Sequence, residues 1–225
     1  MERRVVVAID GPAGAGKSTI ARRVAGKMGF TYIDTGAMYR AVALAALRAG
    51  VGLEDAARLE ELARGARIEF EPGGSRVFLN GEDVSQAIRR PEISPAASQV
   101  SVFPGVRRAL VAKQREIAAG TSVVMEGRDI GTVVFPDADV KIFLDAKPEV
   151  RAGRRSRELE EKGLAMRAED VDREMRERDR RDATRADSPL ARASDAVYLD
   201  TTALSLDEVE QVILKTIAER ARPSR

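Results

Sequence analysis

The sequence predicts an α/β protein whose core is a parallel β-sheet with helices packed against it. Short apolar runs alternate with helical patterns along most of the 225 residues. This order is typical of parallel sheets, because neighbouring parallel strands need a helical crossover between them. A glycine-rich turn follows the first apolar run, and one stretch of alternating residues interrupts the order. With 44% apolar residues, the chain can bury a sizeable core, and we expect one domain with insertions over residues 1–225.

The glycine-rich turn matches a phosphate-binding loop. Residues 5–9 are all apolar and predict a buried strand, and residues 18–28 carry apolar side chains at helical spacing up to Gly29. Glycines let backbone N–H groups approach an anion, and the following helix directs its positive end toward it. The loop comprises Gly11, Pro12, Ala13, Gly14, Ala15, Gly16, Lys17, Ser18 and Thr19. Within it, Lys17 would contact the β- and γ-phosphates of an NTP and Ser18 would hold Mg²⁺. A plain glycine turn is the alternative.

The next elements continue the α/β order until a hairpin interrupts it. Residues 30–34 predict a second strand, and helices are expected over residues 37–48, which Gly50 and Gly52 terminate, and about 53–65. Residues 66–70 and 76–81 alternate around Gly73 and Gly74, which predicts an inserted β-hairpin. The alternative is a surface hairpin that has no part in the function. Two further helices are expected, over about residues 95–102 and 104–119, with a break at Phe103 and Pro104.

Regular α/β order resumes in the second half of the chain. Residues 122–126, 140–145 and 196–200 are apolar runs that predict the third, fourth and fifth strands. Between the last two, residues 148–187 carry nearly equal numbers of basic and acidic residues, which predicts a solvated pair of helices. Residues 206–220 predict a final amphipathic helix.

The composition restricts the chemistry. The chain has no cysteine and no histidine, so disulfides, thiolate metal sites and histidine bases are excluded and carboxylates, hydroxyls, Lys, Arg or a hard metal remain. Basic and acidic residues are interleaved, 38 against 36, and aromatic residues make up 4%, which disfavours nucleic-acid binding. The first residues lead into an apolar run too short for a signal peptide or a membrane span. We therefore expect a cytoplasmic protein without a membrane partner, and a monomer.

Polar residues follow the predicted strands, where ligands gather in parallel sheets. Thr35 follows the second strand, and Arg128 and Asp129 follow the third. These residues are candidates for an anionic second substrate, although Thr35 alone fits a helix N-cap and Arg128 with Asp129 fits a local ion pair. Glu126, at the tip of the third strand, is placed to hold the hydration shell of a nucleotide-bound Mg²⁺, and a water-exposed strand end is the alternative.

The charged segment presents basic side chains at helical spacing. Arg151 and Arg155 are four residues apart, and Arg178, Asp182 and Arg185 follow an i, i+4, i+7 pattern. Each alone is compatible with a surface charge. Together they indicate phosphoryl transfer, because two phosphorylated substrates bring many negative charges together and need several arginines.

With these residues laid out, the chain resembles the bacterial cytidylate kinases, a branch of the nucleoside monophosphate kinase family. The resemblance covers the chain from about Val5 to the final helix and is carried by residues 9–18, 34–40, 97–100 and 126–138, of which the last stretch is the most specific. It implies a P-loop three-layer fold with a five-stranded parallel sheet core, an inserted small antiparallel sheet and a short lid. The core would comprise residues 1–34, 120–156 and 173–225, with a monophosphate-binding region at about 35–119 and a lid at about 157–172.

The resemblance also implies roles for individual residues. Residues expected to bind CMP are Thr35, Tyr39, Arg40, Ser98, Arg107, Arg128, Asp129, Arg178, Asp182 and Arg185. Ser98, Arg107 and Asp129 would lie near the cytosine ring. Residues expected to act in catalysis are Lys17, Arg128, Arg155, Arg178 and Arg185. Arg151 would face ATP, and Ser18 with Glu126, through water, would hold Mg²⁺.

The function implied is the ATP-dependent phosphorylation of CMP and dCMP to CDP and dCDP by direct in-line transfer. No strong general base is needed, because the acceptor oxygen of CMP is already anionic near neutral pH. The alternatives are a UMP/CMP kinase or another small-molecule kinase of the same fold and, more distantly, a nucleic-acid-stimulated ATPase. A guanine-reading Asn-Lys-x-Asp motif, which a regulatory NTP switch would carry, is not found.

Overall fold

A computed structural model describes residues 4–71, 73–161 and 163–221 of the chain. The remaining positions, which fall within the predicted core, insert and lid, lie outside the described residues. The strands are β1 (Val6–Asp10), β2 (Thr31–Asp34), β3 (Ile68–Phe70), β4 (Val77–Leu79), β5 (Glu82–Asp83), β6 (Val123–Gly127), β7 (Val140–Asp145) and β8 (Val197–Asp200). The α-helices are α1 (Lys17–Met28), α2 (Thr35–Arg48), α3 (Ala56–Gly65), α4 (Ile93–Val100), α5 (Pro104–Ala118), α6 (Pro148–Glu161), α7 (Ala168–Thr184) and α8 (Leu206–Arg220).

The central sheet has five parallel strands in the order β2-β6-β1-β7-β8. The predicted parallel core is therefore confirmed. The register brings the carboxyl ends of three strands side by side, since Asp10 lies opposite Gly127 and Asp34 lies opposite Glu126. The phosphate loop, the start of α2 and the segment after β6 consequently leave the sheet at one edge. This edge is where an open parallel sheet binds ligands.

Helices cover both faces of this sheet, which gives three layers. Val7 and Ile9 of β1 pack with α1 and α8, in one buried cluster with Ile20 and Ile213. The alternate residues, including Ala8, pack on the opposite face with the end of α5 and the segment after β6. Because side chains alternate along a strand, a strand buried on both faces must be apolar throughout, as the run at residues 5–9 is.

The insert between β2 and β6 has its own hydrophobic core. Helices α2 to α5 enclose side chains such as Met38, Leu59 and Leu110, and the small sheet packs Val77 and Leu79 against them. The predicted hairpin is part of a three-stranded antiparallel sheet, because β5 pairs with β4 after a turn in which Asn80 and Gly81 have positive φ. A 3₁₀ turn at Ala87–Arg89 then leads into α4. The expected inserted antiparallel sheet is thus confirmed.

The charged segment forms a helix pair that covers the phosphate loop. Leu159 of α6 and Val171 and Met175 of α7 form a small apolar cluster with Ala13 of the loop. Helix α7 runs without interruption through position 172, where the predicted lid ends. Within the three described stretches of the chain, no helix combines the length and the apolar character needed to span a bilayer.

Candidate active site

The phosphate loop takes the conformation that its glycines permit. Gly11 has a φ of 147°, and a Cβ at this position would overlap the backbone carbonyl oxygen of Leu144 in β7. Gly16, the residue before α1, has a φ of 90° in the left-handed region. Both positions are strained for residues with a side chain, so the glycines are needed to bring the loop over the end of α1. The N-terminus of α1 therefore points into the loop, where an anion is stabilised.

Lys17 is held inside the loop rather than extended into solvent. Its side chain is buried, and Nζ donates a hydrogen bond to the Pro12 carbonyl oxygen at 2.6 Å. Burial and the nearby Arg128 lower the pKa of Lys17 to about 7. An ammonium group with this environment lacks a full counter-charge, and a bound phosphate would supply one. Ser18, the next residue, is exposed to the cavity described below.

Glu126 lies at the end of β6 beside the phosphate loop. Its carboxylate is buried and accepts a hydrogen bond from the Tyr32 hydroxyl at 2.5 Å, so the alternative of a water-exposed strand end is wrong. Burial and the neighbouring Asp34 raise the pKa of Glu126. Its backbone carbonyl accepts a hydrogen bond from Thr35 Oγ1 at 2.7 Å, which joins the start of α2 to the end of β6.

The N-cap of α2 is Asp34 and not Thr35, so the helix begins two residues earlier than expected. Asp34 Oδ1 accepts a hydrogen bond from the Ala37 N–H at 2.9 Å, while Oδ2 accepts one from Arg40 Nη2 at 2.8 Å. An aspartate at this position accepts a hydrogen bond from a backbone N–H that has no partner within the helix, and its negative charge is stabilised by the positive end of the helix dipole. Arg40 is thereby oriented along the edge of the cavity.

Arg107 and Asp129 form a buried ion pair beneath the carboxyl end of the sheet. The Arg107 guanidinium is 2% exposed, bonds Asp129 Oδ2 and lies over the Tyr39 ring at 5.6 Å from its centroid. Arg185 Nη2 approaches Asp129 Oδ1 at 3.6 Å from the other side. The sequence-based alternative of a local Arg128–Asp129 pair is therefore wrong, because Asp129 is engaged by residues from α5 and from the end of α7.

Arg128 pairs instead with Asp182. Arg128 Nε lies 2.8 Å from Asp182 Oδ2, and both Arg178 and Arg185 approach the same carboxylate at 3.9 Å. The i, i+4, i+7 pattern read from the sequence thus places one carboxylate among three guanidinium groups. Even with Asp129, which Arg107 and Arg185 share, two carboxylates face four arginines, which leaves uncompensated positive charge.

Arg151 and Arg155 lie on the same side of α6 but have different contacts. Arg151 Nη1 donates to the Ala13 carbonyl oxygen of the phosphate loop at 3.0 Å and also pairs with Asp179 of α7. Arg155 Nη1 lies 2.8 Å from Glu158 and lines the cavity. Arg151 therefore stabilises the loop by a direct hydrogen bond to its backbone, whereas Arg155 faces the cavity.

A cavity of about 930 Å³ connects the phosphate loop with the insert and the α6–α7 pair. Its described lining includes ten basic and five acidic side chains. The predicted site residues that line it are Ala13, Gly14, Lys17, Ser18, Thr19, Arg40, Ser98, Glu126, Arg128, Arg155 and Arg178. An excess of five positive charges in a partly enclosed cavity favours highly anionic ligands.

Comparisons with known proteins agree with this geometry. The family model described as "Cytidylate kinase" matches residues 7–219. The chain belongs to the cytidylate kinase family. A "Cytidylate kinase" of Solibacter usitatus is 63% identical and covers 100% of this chain and 97% of its own length. One of Caldanaerobacter subterraneus is 52% identical, with 97% and 96% covered. A crystal structure of an uncharacterized protein from Eubacterium ventriosum has a TM-score of 0.51 at 12% identity and covers 96% of this chain and 100% of that chain, a likeness of fold alone.

Membership of the cytidylate kinase family confirms the resemblance that the four sequence stretches carried, and it does not favour another small-molecule kinase. Several residues expected at the CMP site lie outside the cavity lining. These are Thr35, Tyr39, Arg107, Asp129, Asp182 and Arg185. Two of them contact lining residues directly, since Asp182 contacts Arg128 and Thr35 contacts Glu126, and Tyr39 packs against Arg107 in the layer behind them.

The cavity lining also includes charged residues that were not predicted as site residues from the sequence. Among them, Asp34, Arg89 and Arg181 lie at the end of β2, in the insert and on α7. Arg181 follows Arg178 at i+3 on α7, so helical spacing was a signal for it, and Asp34 could have been found from its position at the end of a predicted strand, directly before Thr35. Arg89 lies in the 3₁₀ turn of the insert, and its position beside Asp34 depends on how the insert packs.

Proposed function

We propose that this chain transfers the γ-phosphoryl group of ATP to CMP and dCMP, giving ADP and CDP or dCDP. The observation that carries the proposal is the single cavity that joins a phosphate-binding loop to a cluster of arginines on the insert and on α7. Arg40 Nε and Arg178 Nε, which are buried, have no hydrogen-bond partner within the described residues. Such guanidinium groups are suited to phosphate oxygens, which bind them with charge-assisted hydrogen bonds.

In this proposal, residues 11–19 bind the phosphates of ATP and Arg151 holds the loop through the Ala13 carbonyl. The phosphate of CMP lies opposite, near Arg40, Arg128 and Arg178. Its anionic oxygen attacks the γ-phosphorus, the bond to the β,γ-bridging oxygen breaks, and ADP leaves. The protein contributes alignment and charge stabilisation, which are the principal demands of phosphoryl transfer. Lys17 and Arg155 would stabilise the transferred group.

The residues at the carboxyl end of β6 and the start of α1 fit a magnesium ion carried by the nucleotide. Ser18 and Glu126 both line the cavity and offer oxygen ligands, which Mg²⁺ prefers. Within the described chain, no group of three acidic side chains is arranged to hold a metal unaided, so nucleotide phosphates would complete the coordination. Bound there, Mg²⁺ would neutralise charge on the β- and γ-phosphates.

The base of CMP would lie near Ser98, above the buried Arg107–Asp129 pair. The insert at about 35–119 and the lid at about 157–172 would close over both substrates and exclude water as an acceptor. We further propose that the protein acts as a cytoplasmic monomer.

The proposal is tested by measuring ADP release with ATP, Mg²⁺ and one acceptor at a time from CMP, dCMP, UMP, AMP and shikimate. We expect kcat/KM to be highest for CMP, with dCMP next, and Lys17→Ala to provide the inactive control. A higher kcat/KM for AMP or shikimate would overturn the proposal. Stimulation of ATP hydrolysis by DNA or RNA in the absence of CMP would favour the nucleic-acid-stimulated ATPase instead.

A further inference from the structure

A polar contact between α4 of the insert and α7 lies at the wall of the cavity. Arg181 Nη1 donates a hydrogen bond to Ser98 Oγ at 3.0 Å, and both residues line the cavity. The Ser98 side chain is buried, whereas that of Arg181 is 27% exposed. Glu177, one turn earlier on α7, accepts a hydrogen bond from Arg181 Nε at 3.2 Å. The guanidinium is therefore held at both ends, between an acidic side chain and the serine hydroxyl.

The chemistry of this contact determines how Ser98 can bind a ligand. A guanidinium has only donors, so Ser98 Oγ must act as the acceptor in this bond. The hydroxyl proton is not used by the contact and is free to point toward a ligand. A hydroxyl that accepts a bond from a cation becomes a stronger donor and a weaker acceptor, because hydrogen bonds in a chain polarise one another. Arg181 thus biases Ser98 toward donating.

This bias matters for the choice of pyrimidine. Cytosine presents two acceptors, O2 and N3, along the edge of its ring, whereas uracil carries a proton on N3. A donating hydroxyl near N3 pairs with cytosine and leaves uracil with two donors facing each other, a mismatch that costs affinity. Of the residues expected at the ring, Ser98 lines the cavity, while Arg107 and Asp129 are paired with each other in the layer beneath.

We propose that Arg181 is a specificity-determining residue, which favours CMP over UMP by positioning and polarising the Ser98 hydroxyl. The inference rests on the proposed function, because it requires the pyrimidine to lie beside Ser98. Arg181 acts through Ser98 and not on the transferred phosphoryl group, so its removal changes the choice of acceptor and leaves the KM for ATP within about twofold.

The test is a double-mutant cycle on Ser98→Ala, Arg181→Met and the double variant, with kcat/KM measured for CMP and for UMP. We expect Ser98→Ala to lower the CMP-to-UMP ratio by about tenfold, the effect of one hydrogen bond, and Arg181→Met to lower it by about threefold, because the hydroxyl remains but is neither held nor polarised. The double variant should be no worse than Ser98→Ala, because Arg181 has no route to the base once the hydroxyl is gone. Arg181→Lys, which keeps a donor, should restore part of the ratio.

Arg180→Met is the matched control. Arg180 is the adjacent residue on α7 and also donates to Glu177, but it is exposed and does not line the cavity. The CMP-to-UMP ratio of kcat/KM for Arg180→Met should equal that of the wild type. Circular dichroism checks that each variant folds, and Arg181→Ala replaces Arg181→Met in the cycle if the latter does not.

The outcomes separate the inference from the proposed function. A ratio unchanged in Ser98→Ala would overturn the placement of the base beside Ser98, and this inference with it. A lowered ratio in Ser98→Ala together with an unchanged ratio in Arg181→Met would overturn the inference alone. Independent, additive losses in the double variant would also overturn it, because they would mean that Arg181 acts by a route other than Ser98.

Discussion

Replacing Asp10 with asparagine should remove a pH-dependent loss of stability, at the cost of one hydrogen-bond acceptor. Asp10 is the last residue of β1, is 5% exposed, and accepts hydrogen bonds from the Ile130 and Gly131 N–H groups at 2.8 Å each. Burial outweighs these two bonds and raises the pKa of Asp10 from 3.8 to about 6. The folded protein therefore prefers a neutral side chain here. Asparagine matches the protonated form in shape and charge, but its Nδ2 group cannot accept a hydrogen bond from an N–H group.

The magnitude follows from linkage. Between pH 3.8 and about 6 the folded state binds more protons at Asp10 than the unfolded state, so stability falls as the pH rises through this window. The full shift corresponds to about 3 kcal/mol at pH 8, with about 1.5 kcal/mol at pH 5 and about 0.5 kcal/mol at pH 4. Asp10→Asn does not titrate, so its free energy of unfolding relative to the wild type should rise by about 2.5 kcal/mol between pH 4 and pH 8. The Nδ2 group, which faces one of the two N–H donors, subtracts about 1–3 kcal/mol at every pH.

Urea denaturation of both proteins at pH 8, 5 and 4 measures the difference. Asp182→Asn is the control of opposite sign. Burial alone would raise the pKa of Asp182, but Arg128 and Arg178 lower it below its usual value. Relative to the wild type, Asp182→Asn should therefore lose more stability as the pH rises. A difference between the two proteins that does not vary with pH, or that varies in the opposite direction, would refute the reasoning. We expect kcat/KM for CMP to fall about tenfold in Asp10→Asn, because the segment that follows Arg128 loses one anchor.

Lys17→Ala should lower kcat by about 10²–10⁴-fold, because it removes a positive charge at the transferred phosphoryl group. The thermal unfolding midpoint should change little. Turnover near that of the wild type would contradict the role of Lys17. Gly74→Ala should lower the free energy of unfolding by about 1–3 kcal/mol, because Gly74 has a φ of 66° and a Cβ there would overlap the Tyr32 ring. Gly50→Ala is the control, since Gly50 has a φ of 63° but open space around it. Its loss of stability should be smaller in the same urea titration. Asp129→Ala should lower stability by about 3–5 kcal/mol, because two buried guanidinium groups lose their shared carboxylate, and should also lower the CMP-to-UMP ratio of kcat/KM; an unchanged ratio in folded protein would contradict the role of Asp129 in base selection.

Much of this protein's fold and its phosphate loop can be predicted from the sequence. The phosphate loop has a fixed spacing that depends on local backbone geometry, so Gly11 to Thr19 are identifiable without a fold. All five strands of the central sheet were predicted within one or two residues, because the inner strands β1, β6 and β7 are buried and mostly apolar and the edge strands β2 and β8 keep a short apolar run. The family, too, follows from four short stretches, because they combine the loop with residues at three further points along the chain.

Tertiary structure decided which partner each charged side chain has. Asp10 meets the amides of residues 130 and 131, Arg107 pairs with Asp129, and Arg181 reaches Ser98, in each case across separations of 22 to 121 residues. The sequence pointed to several of these residues but not to their partners, since interleaved basic and acidic residues admit many pairings. Only packing brings one carboxylate within reach of a guanidinium and shields both from water, and that burial turns a surface charge into part of a binding site.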